Sequence, residues 1–145
     1  MEQPFTYPIN IEIDEAGYHL VTFPDFPEAA TDGTTLAEAL EEASDCLEEA
    51  IAGRIRRKDP IPPPSPSGTN QKNLPVPAQM SAKAALYLAL KNSELSKSEL
   101  ASRLGCDEKE VRRLLDPRHP SKLPRIESAL AVLGKRLVLS IQEAA

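Results

Sequence analysis

The chain has 145 residues, 41% of them hydrophobic and 27% charged, with a net charge of -5. That length makes one domain or two small ones. With no signal peptide, no lipidation motif, no apolar run of the roughly 20 residues a membrane helix needs, and two isolated cysteines without metal-ligand spacing, it excludes secreted disulfide scaffolds, zinc modules and membrane proteins, and points to the cytoplasm. The total charge hides a division. Residues 1–65 hold 14 acids and 4 bases, net -10, whereas residues 66–145 hold 8 acids and 13 bases, net +5. An acidic half suits a basic protein partner, and a basic half suits nucleic acid.

Phe5, Tyr7, Ile9, Ile11 and Ile13 alternate with Thr6, Pro8, Asn10 and Glu12, the period of a half-buried strand. Asp14 to Gly17 is a turn, and Tyr18 to Phe23 returns as the second strand of a hairpin. Phe23-Pro24-Asp25-Phe26-Pro27 cannot continue a central strand, because its two prolines lack donors. A short third strand is expected over Glu28 to Thr31. Thr35 and Glu38 then form a capping box. Behind it Leu36, Leu40, Ala43, Leu47, Ala50, Ile51 and Ile55 make one apolar helical stripe, with Gly53 ending the regular helix early. Glu38, Glu41, Glu42, Asp45, Glu48 and Glu49 fill the remaining surface, and Arg54, Arg56, Arg57 and Lys58 favour the C-terminal end of the helix dipole. Residues 59–77 contain 7 of the 14 prolines and read as a semi-extended, solvated linker, with Leu74 and Val76 pairing at a sheet edge. The domain boundary is expected near 78: residues 1–78, including the Pro-rich linker 59–78, then 79–145.

In the second half a helix from Ser81 to Leu90 is expected to bury Ala84, Ala85, Tyr87 and Leu88. Lys97–Leu104 and Glu108–Leu115 make two short helices joined at Gly105, the second capped by Asp107. Ala101, Gly105 and Val111 have the spacing of a helix-turn-helix. A small residue admits the crossing, a glycine makes the turn, and a valine plugs the contact. Lys109, Arg112 and Arg113 then face outward from the second helix. Lys97 and Ser98 open the first, and Arg118, Lys122 and Arg125 stand ready for phosphates. This set is the expected contact with double-stranded operator DNA. After Pro124 a last helix uses Ile126, Ala129, Leu130 and Leu133 and stops at Gly134. Leu137, Leu139 and Ile141 alternate with polar or smaller residues as a terminal strand with no strand nearby in its own domain. The economical expectation is pairing with the same strand of a second copy, in a homodimer or higher homo-oligomer.

At this point the chain resembles a known family. Residues Tyr18 to Glu28, the Thr31-Asp32-Gly33-Thr34-Thr35 helix entry and the Ile61-Pro62-Pro63-Pro64-Ser65 exit resemble HicB antitoxins of bacterial toxin–antitoxin pairs. Glu99 to Gly105 and Ala129 to Leu137 resemble the subgroup with a C-terminal helix-turn-helix. The resemblance implies an α+β chain: an N-terminal β-β-β-α-β domain like a partial RNase H fold, then an all-α DNA-binding domain ending in a short dimerising strand. It implies that the first domain binds and blocks HicA, a small basic RNase (mRNA interferase) toxin, while the second represses the operon. The expected toxin contacts are Phe23, Asp25, Phe26 and Glu28, with Glu41, Asp45, Glu48 and Glu49 as steering charge. No cofactor is expected.

Two rival readings remain in the sequence. An RNase H-like enzyme would need converging carboxylates, and Glu12, Asp14, Asp25 and Asp32 do not build a two-metal set. His19 and His119 have no nucleophile or acid at telling spacing, so no catalytic residue is assigned. The other rival is a stand-alone helix-turn-helix regulator with a small-molecule-sensing N-terminal domain. A short gene for a basic protein beside this one separates the two.

Overall fold

The computed structural model describes residues 4–143. In chain order they form β1 (Thr6–Ile13), β2 (His19–Thr22), β3 (Ala30–Gly33), α1 (Leu36–Arg57), β4 (Lys72–Pro75), α2 (Ala78–Lys91), α3 (Lys97–Leu104), α4 (Glu108–Leu115) and α5 (Leu123–Val132). They fall into two compact units, Met1–Ser81 and Ala82–Ala145.

The first unit is an antiparallel sheet of order β3-β2-β1-β4, with α1 packed over β3 and β2. Its register sets Ile11 opposite Val21 and Tyr7 opposite Leu74, so the odd-numbered side chains of β1 share the covered face. Tyr7, Ile9 and Val21 are buried there. α1 meets them with Ala39, Ala43, Leu47, Ile51 and Ile55, a ridge of every fourth residue. The buried stripe is therefore rotated from the one expected. Leu36 is 39% exposed, and Leu40 and Ala50 are only half-buried. At the start of α1 the approach is close: a Cβ on Gly33 would lie 2.4 Å from the Ala39 amide nitrogen, so the small Ala39 and not Leu36 or Leu40 faces the sheet there.

Three local expectations change with tertiary contacts. Thr35 does cap α1, accepting from the Glu38 amide at 3.1 Å, but the Glu38 carboxylate takes the Thr34 hydroxyl instead of closing the box. Gly53 lies buried inside the helix, which runs on to Arg57 and ends at Lys58, in the left-handed region at φ 61°. The third strand begins at Ala30, because residues 23–29 are spent in turns closed by Phe26 N–H to Phe23 O at 3.1 Å and Ala29 N–H to Phe26 O at 2.9 Å.

The Pro-rich segment is not a free linker. Ile61 is buried, and three side chains of the domain bind the neighbouring backbone. Arg54 Nη1 donates to Pro60 O at 3.0 Å, Tyr7 Oη donates to Pro62 O at 2.7 Å, and Asp25 accepts from the Ser65 amide at 2.9 Å and from its hydroxyl. Proline removes donors, yet each residue keeps a carbonyl, and here buried donors find them. The chain then returns as β4, pairing Thr6 with Pro75 and Ile9 with Lys72 at the edge of β1.

In the second unit Ala82, Leu86, Leu114, Ile126, Ala129 and Leu130 form one apolar cluster, and Leu100, Ala101 and Val111 form a second. α2 buries Met80, Ala82, Lys83, Ala84 and Leu86, while Ala85, Tyr87 and Leu88, expected inside, are half-buried. α5 is capped at Leu133, and Gly134 follows at φ 75°. Beyond it, residues 135–143 form no strand. Leu137 packs on the first cluster, whereas Leu139 and Ile141 are 66% and 100% exposed. Alternation makes a strand only where another backbone supplies the ladder bonds. Among the described residues of the second unit no strand is present to offer them, so the terminal strand expected at Leu137, Leu139 and Ile141 is absent here.

Candidate functional site

Two surfaces are candidates, one in each unit. In the second unit α3 begins at Ser96, whose hydroxyl accepts from the Glu99 amide at 3.1 Å while the Glu99 carboxylate accepts from the Ser96 amide at 3.3 Å. This capping box was legible as Ser-x-x-Glu, and the sequence reading missed it. α3 ends on Gly105 at φ 70°, with Cys106 N–H returned to Ala101 O at 3.0 Å. Asp107 then caps α4, accepting from the Glu110 amide at 2.8 Å. Both helices therefore start and stop where the residue types require. Val111 and Leu114 of α4 are fully buried, which turns Lys109, Arg112 and Arg113 to solvent. Lys97, Ser98, Arg118 and Lys122 are exposed as well, and Arg125 is half-buried. Arg113 shares its charge with Glu110 at 3.6 Å.

What holds α4 in place had no signal in the sequence. Lys83 of α2 is 1% exposed, and its Nζ donates to Arg113 O at 2.9 Å, Leu114 O at 2.9 Å and Ser121 Oγ at 2.7 Å. Ser121 Oγ lies 3.0 Å from His119 Nδ1. An ammonium thus satisfies the orphan carbonyls at the C-terminus of α4, where the helix dipole is negative. Burial pushes the Lys83 amine down to about 8, against the pull of Asp116 and Glu110. It remains charged at neutral pH and has all three of its donors engaged.

In the first unit the aromatic corner lies inside. Phe23 is 3% and Phe26 0% exposed, with Phe26 edge-on to Tyr7 at 4.9 Å and the Arg54 guanidinium over its ring at 4.9 Å. Arg54 also grips Glu28 with two bonds of 2.8 and 2.9 Å, which holds the Glu28 carboxyl below its usual range. Asp25 is engaged with Ser65. Asp25 therefore ties the Pro-rich exit to the domain directly, Glu28 and Phe26 hold the Arg54 that also reaches it, and the buried Phe23 and Phe26 have no surface to offer a partner. Glu41, Asp45 and Glu49 stand exposed on α1, with Glu48 half-buried. Among the described residues no three His, Cys, Asp or Glu side chains converge on a point where a metal could sit. Nor is any described helix long and apolar enough to cross a membrane.

The model of the HicB-like antitoxin of bacterial toxin–antitoxin systems matches residues 6–85. That span holds the whole sheet, α1, the strapped Pro-rich segment and the start of α2. The chain belongs to the HicB-like antitoxin family. Relatives extend the match through the second unit. Antitoxin HicB 1 of Photorhabdus laumondii is 38% identical over 136 residues, covering 94% of this chain and 86% of the relative. Antitoxin HicB of Escherichia coli K12 is 36% identical over 133 residues, 92% and 96% of the two chains. That of Pseudomonas fluorescens is 36% identical over 142 residues, 97% and 96%. An antitoxin is a regulatory protein and not an enzyme, and its partner is a toxin.

Proposed function

We propose that this HicB-like chain neutralises a small basic HicA-type RNase toxin through its N-terminal unit and represses its own operon through its C-terminal unit. The observation that carries the first half is similarity to HicB antitoxins over more than nine-tenths of the chain. The β-β-β-α-β order fits the partial RNase H-like domain that the reading requires. The acids of α1 add steering: Glu41, Asp45, Glu48 and Glu49 raise the association rate with a cationic partner, an effect that salt screens. Phe23, Asp25, Phe26 and Glu28 act indirectly, by fixing the domain's shape.

For the second half, the supporting observation is α3 and α4 joined at Gly105, with Lys109, Arg112 and Arg113 outward. We read this as a helix-turn-helix whose α4 enters the major groove. Lys97 and Ser98 meet a phosphate at the start of α3, and Arg118, Lys122 and Arg125 contact the backbone. One such module reads few base pairs, so the chain binds as a dimer with half-sites about one DNA turn apart or a multiple of it. Arg112→Ala with Arg113→Ala should lower operator affinity by on the order of 2 to 4 kcal/mol. A gel shift at moderate salt measures this, and undiminished binding would remove α4 from the interface. Inhibition of the RNase activity of the protein encoded next door, by this chain added in equal amount, tests the antitoxin half.

A further inference from the structure

The sheet of the N-terminal unit has two faces, and α1 covers only one. An added Cβ on Gly33 would run into Ala39, so the helix lies on the side of Gly33, shared by the fully buried Val21 and Ile9. Residues one step out of phase point the other way. The register sets Glu12 opposite Leu20 and Leu20 opposite Asp32, one rung about 10 Å across on that outward face. Thr22 lies two residues along β2 on the same side. So does Tyr18, whose carbonyl accepts from the Asp14 amide at 2.9 Å and prolongs the ladder beyond His19. Glu12, Tyr18, Thr22 and Asp32 are exposed, and Leu20 is half-buried between the two acids.

The charge of this face has one sign. Lys72 stands opposite Ile9 and therefore on the helix side. Among the described strand residues that point outward, the charged ones are Glu12 and Asp32. Other acids of the unit have tasks in the fold: Asp14 closes the hairpin, Asp25 holds Ser65 and Glu28 holds Arg54. Glu12 and Asp32 make no ion pair and no side-chain hydrogen bond among the described residues. Acids are poor strand formers, and these two gain the sheet nothing. Beside the apolar surface of Tyr18 and Leu20 they suit lysine and arginine, whose stems lie on apolar groups while their heads reach carboxylates. A nucleic acid, or the same face of a second copy, would bring like charge instead.

We infer that the outward face of β1, β2 and β3, centred on Leu20, is where the basic toxin docks; this rests on the antitoxin reading and names its contact face. The test is surface plasmon resonance of the full chain against the protein encoded next door. Glu12→Lys with Asp32→Lys should weaken binding at least tenfold, chiefly through faster dissociation. Thr22→Arg, which sets a cation beside Leu20 from an exposed position, should act the same way and serves if the double variant fails to fold. Circular dichroism melts establish that each variant is folded. Wild-type dissociation from folded variants would overturn this surface and leave the antitoxin reading standing. A loss confined to the association rate would reduce the two acids to steering at a distance and overturn it equally. Failure of the unmutated chain to bind would overturn both. A change in the mass of the chain alone, seen in light scattering of the variants, would give the face to a second copy and overturn the assignment.

Discussion

Gly33 shows how much one residue can fix. It is not in a left-handed conformation, and its role is the space that a side chain would take. An added Cβ would meet three backbone atoms of Glu38 and Ala39 at 2.4 to 2.9 Å, none of which can swing aside. Gly33→Ala must therefore lift the start of α1 from the sheet, at a cost on the order of 3 kcal/mol. Urea denaturation of the variant checks this, and a cost near zero would mean that α1 can shift freely. Arg54 is the opposite case, a residue with many contacts. It binds Glu28, covers Phe26 and reaches Pro60 O, so one guanidinium ties the corner, the helix and the exit segment together. Tyr7 beneath it is sealed so well that burial pushes its phenol to about 12.

For the elements, the end of α4 is the most informative place. A helix of 8 residues has little stability of its own and relies on its caps and its packed face. Asp107 serves the N-terminus and Lys83 the C-terminus. The folded state holds the Lys83 proton only to about pH 8, whereas its ordinary value is 10.5. Below pH 8 both states are charged and the full penalty of burying the ammonium, on the order of 3 kcal/mol, opposes folding. Between pH 8 and 10.5 the unfolded chain binds more protons, so the stability of this unit should rise with pH across that window. The Lys83→Met variant should lack that rise. Denaturant titrations of both proteins at pH 7.5 and pH 10 would show it, and parallel behaviour would mean that Lys83 is not desolvated in solution.

Across the whole molecule, the division of charge coincides with a division of structure. The -10 segment ends at residue 65, inside the strapped exit of the first unit, and the outward bases of α4 lie in the second. Under the proposed reading, one chain then carries two surfaces for partners of opposite charge. Under that reading repression would use a dimer, and the exposed Val138, Leu139 and Ile141 offer backbone and apolar side chains for it. Deleting residues 136–145 should yield a smaller species in light scattering and weaken operator binding. An unchanged mass would place the dimer contact elsewhere.

The sequence by itself determined the elements whose signals are local. α3 and α4 begin and end at the expected residues, because Gly105 and Asp107 act on the amides and carbonyls within one turn of themselves. The β1–β2 hairpin and the edge pairing of Leu74 were legible for the same reason, alternation plus a turn. The family was legible because its motifs lie in order along the chain. Only the tertiary structure decided the rest. Which side of α1 is buried depended on the clearance at Gly33, and the order in the Pro-rich segment on side-chain partners 40 to 55 residues away in sequence. Lys83 reads as an ordinary surface lysine until α4 places two carbonyls at its tip. Phe23 and Phe26 could as well have been contacts as core, since hydrophobicity drives burial in either a fold or an interface and carries no direction.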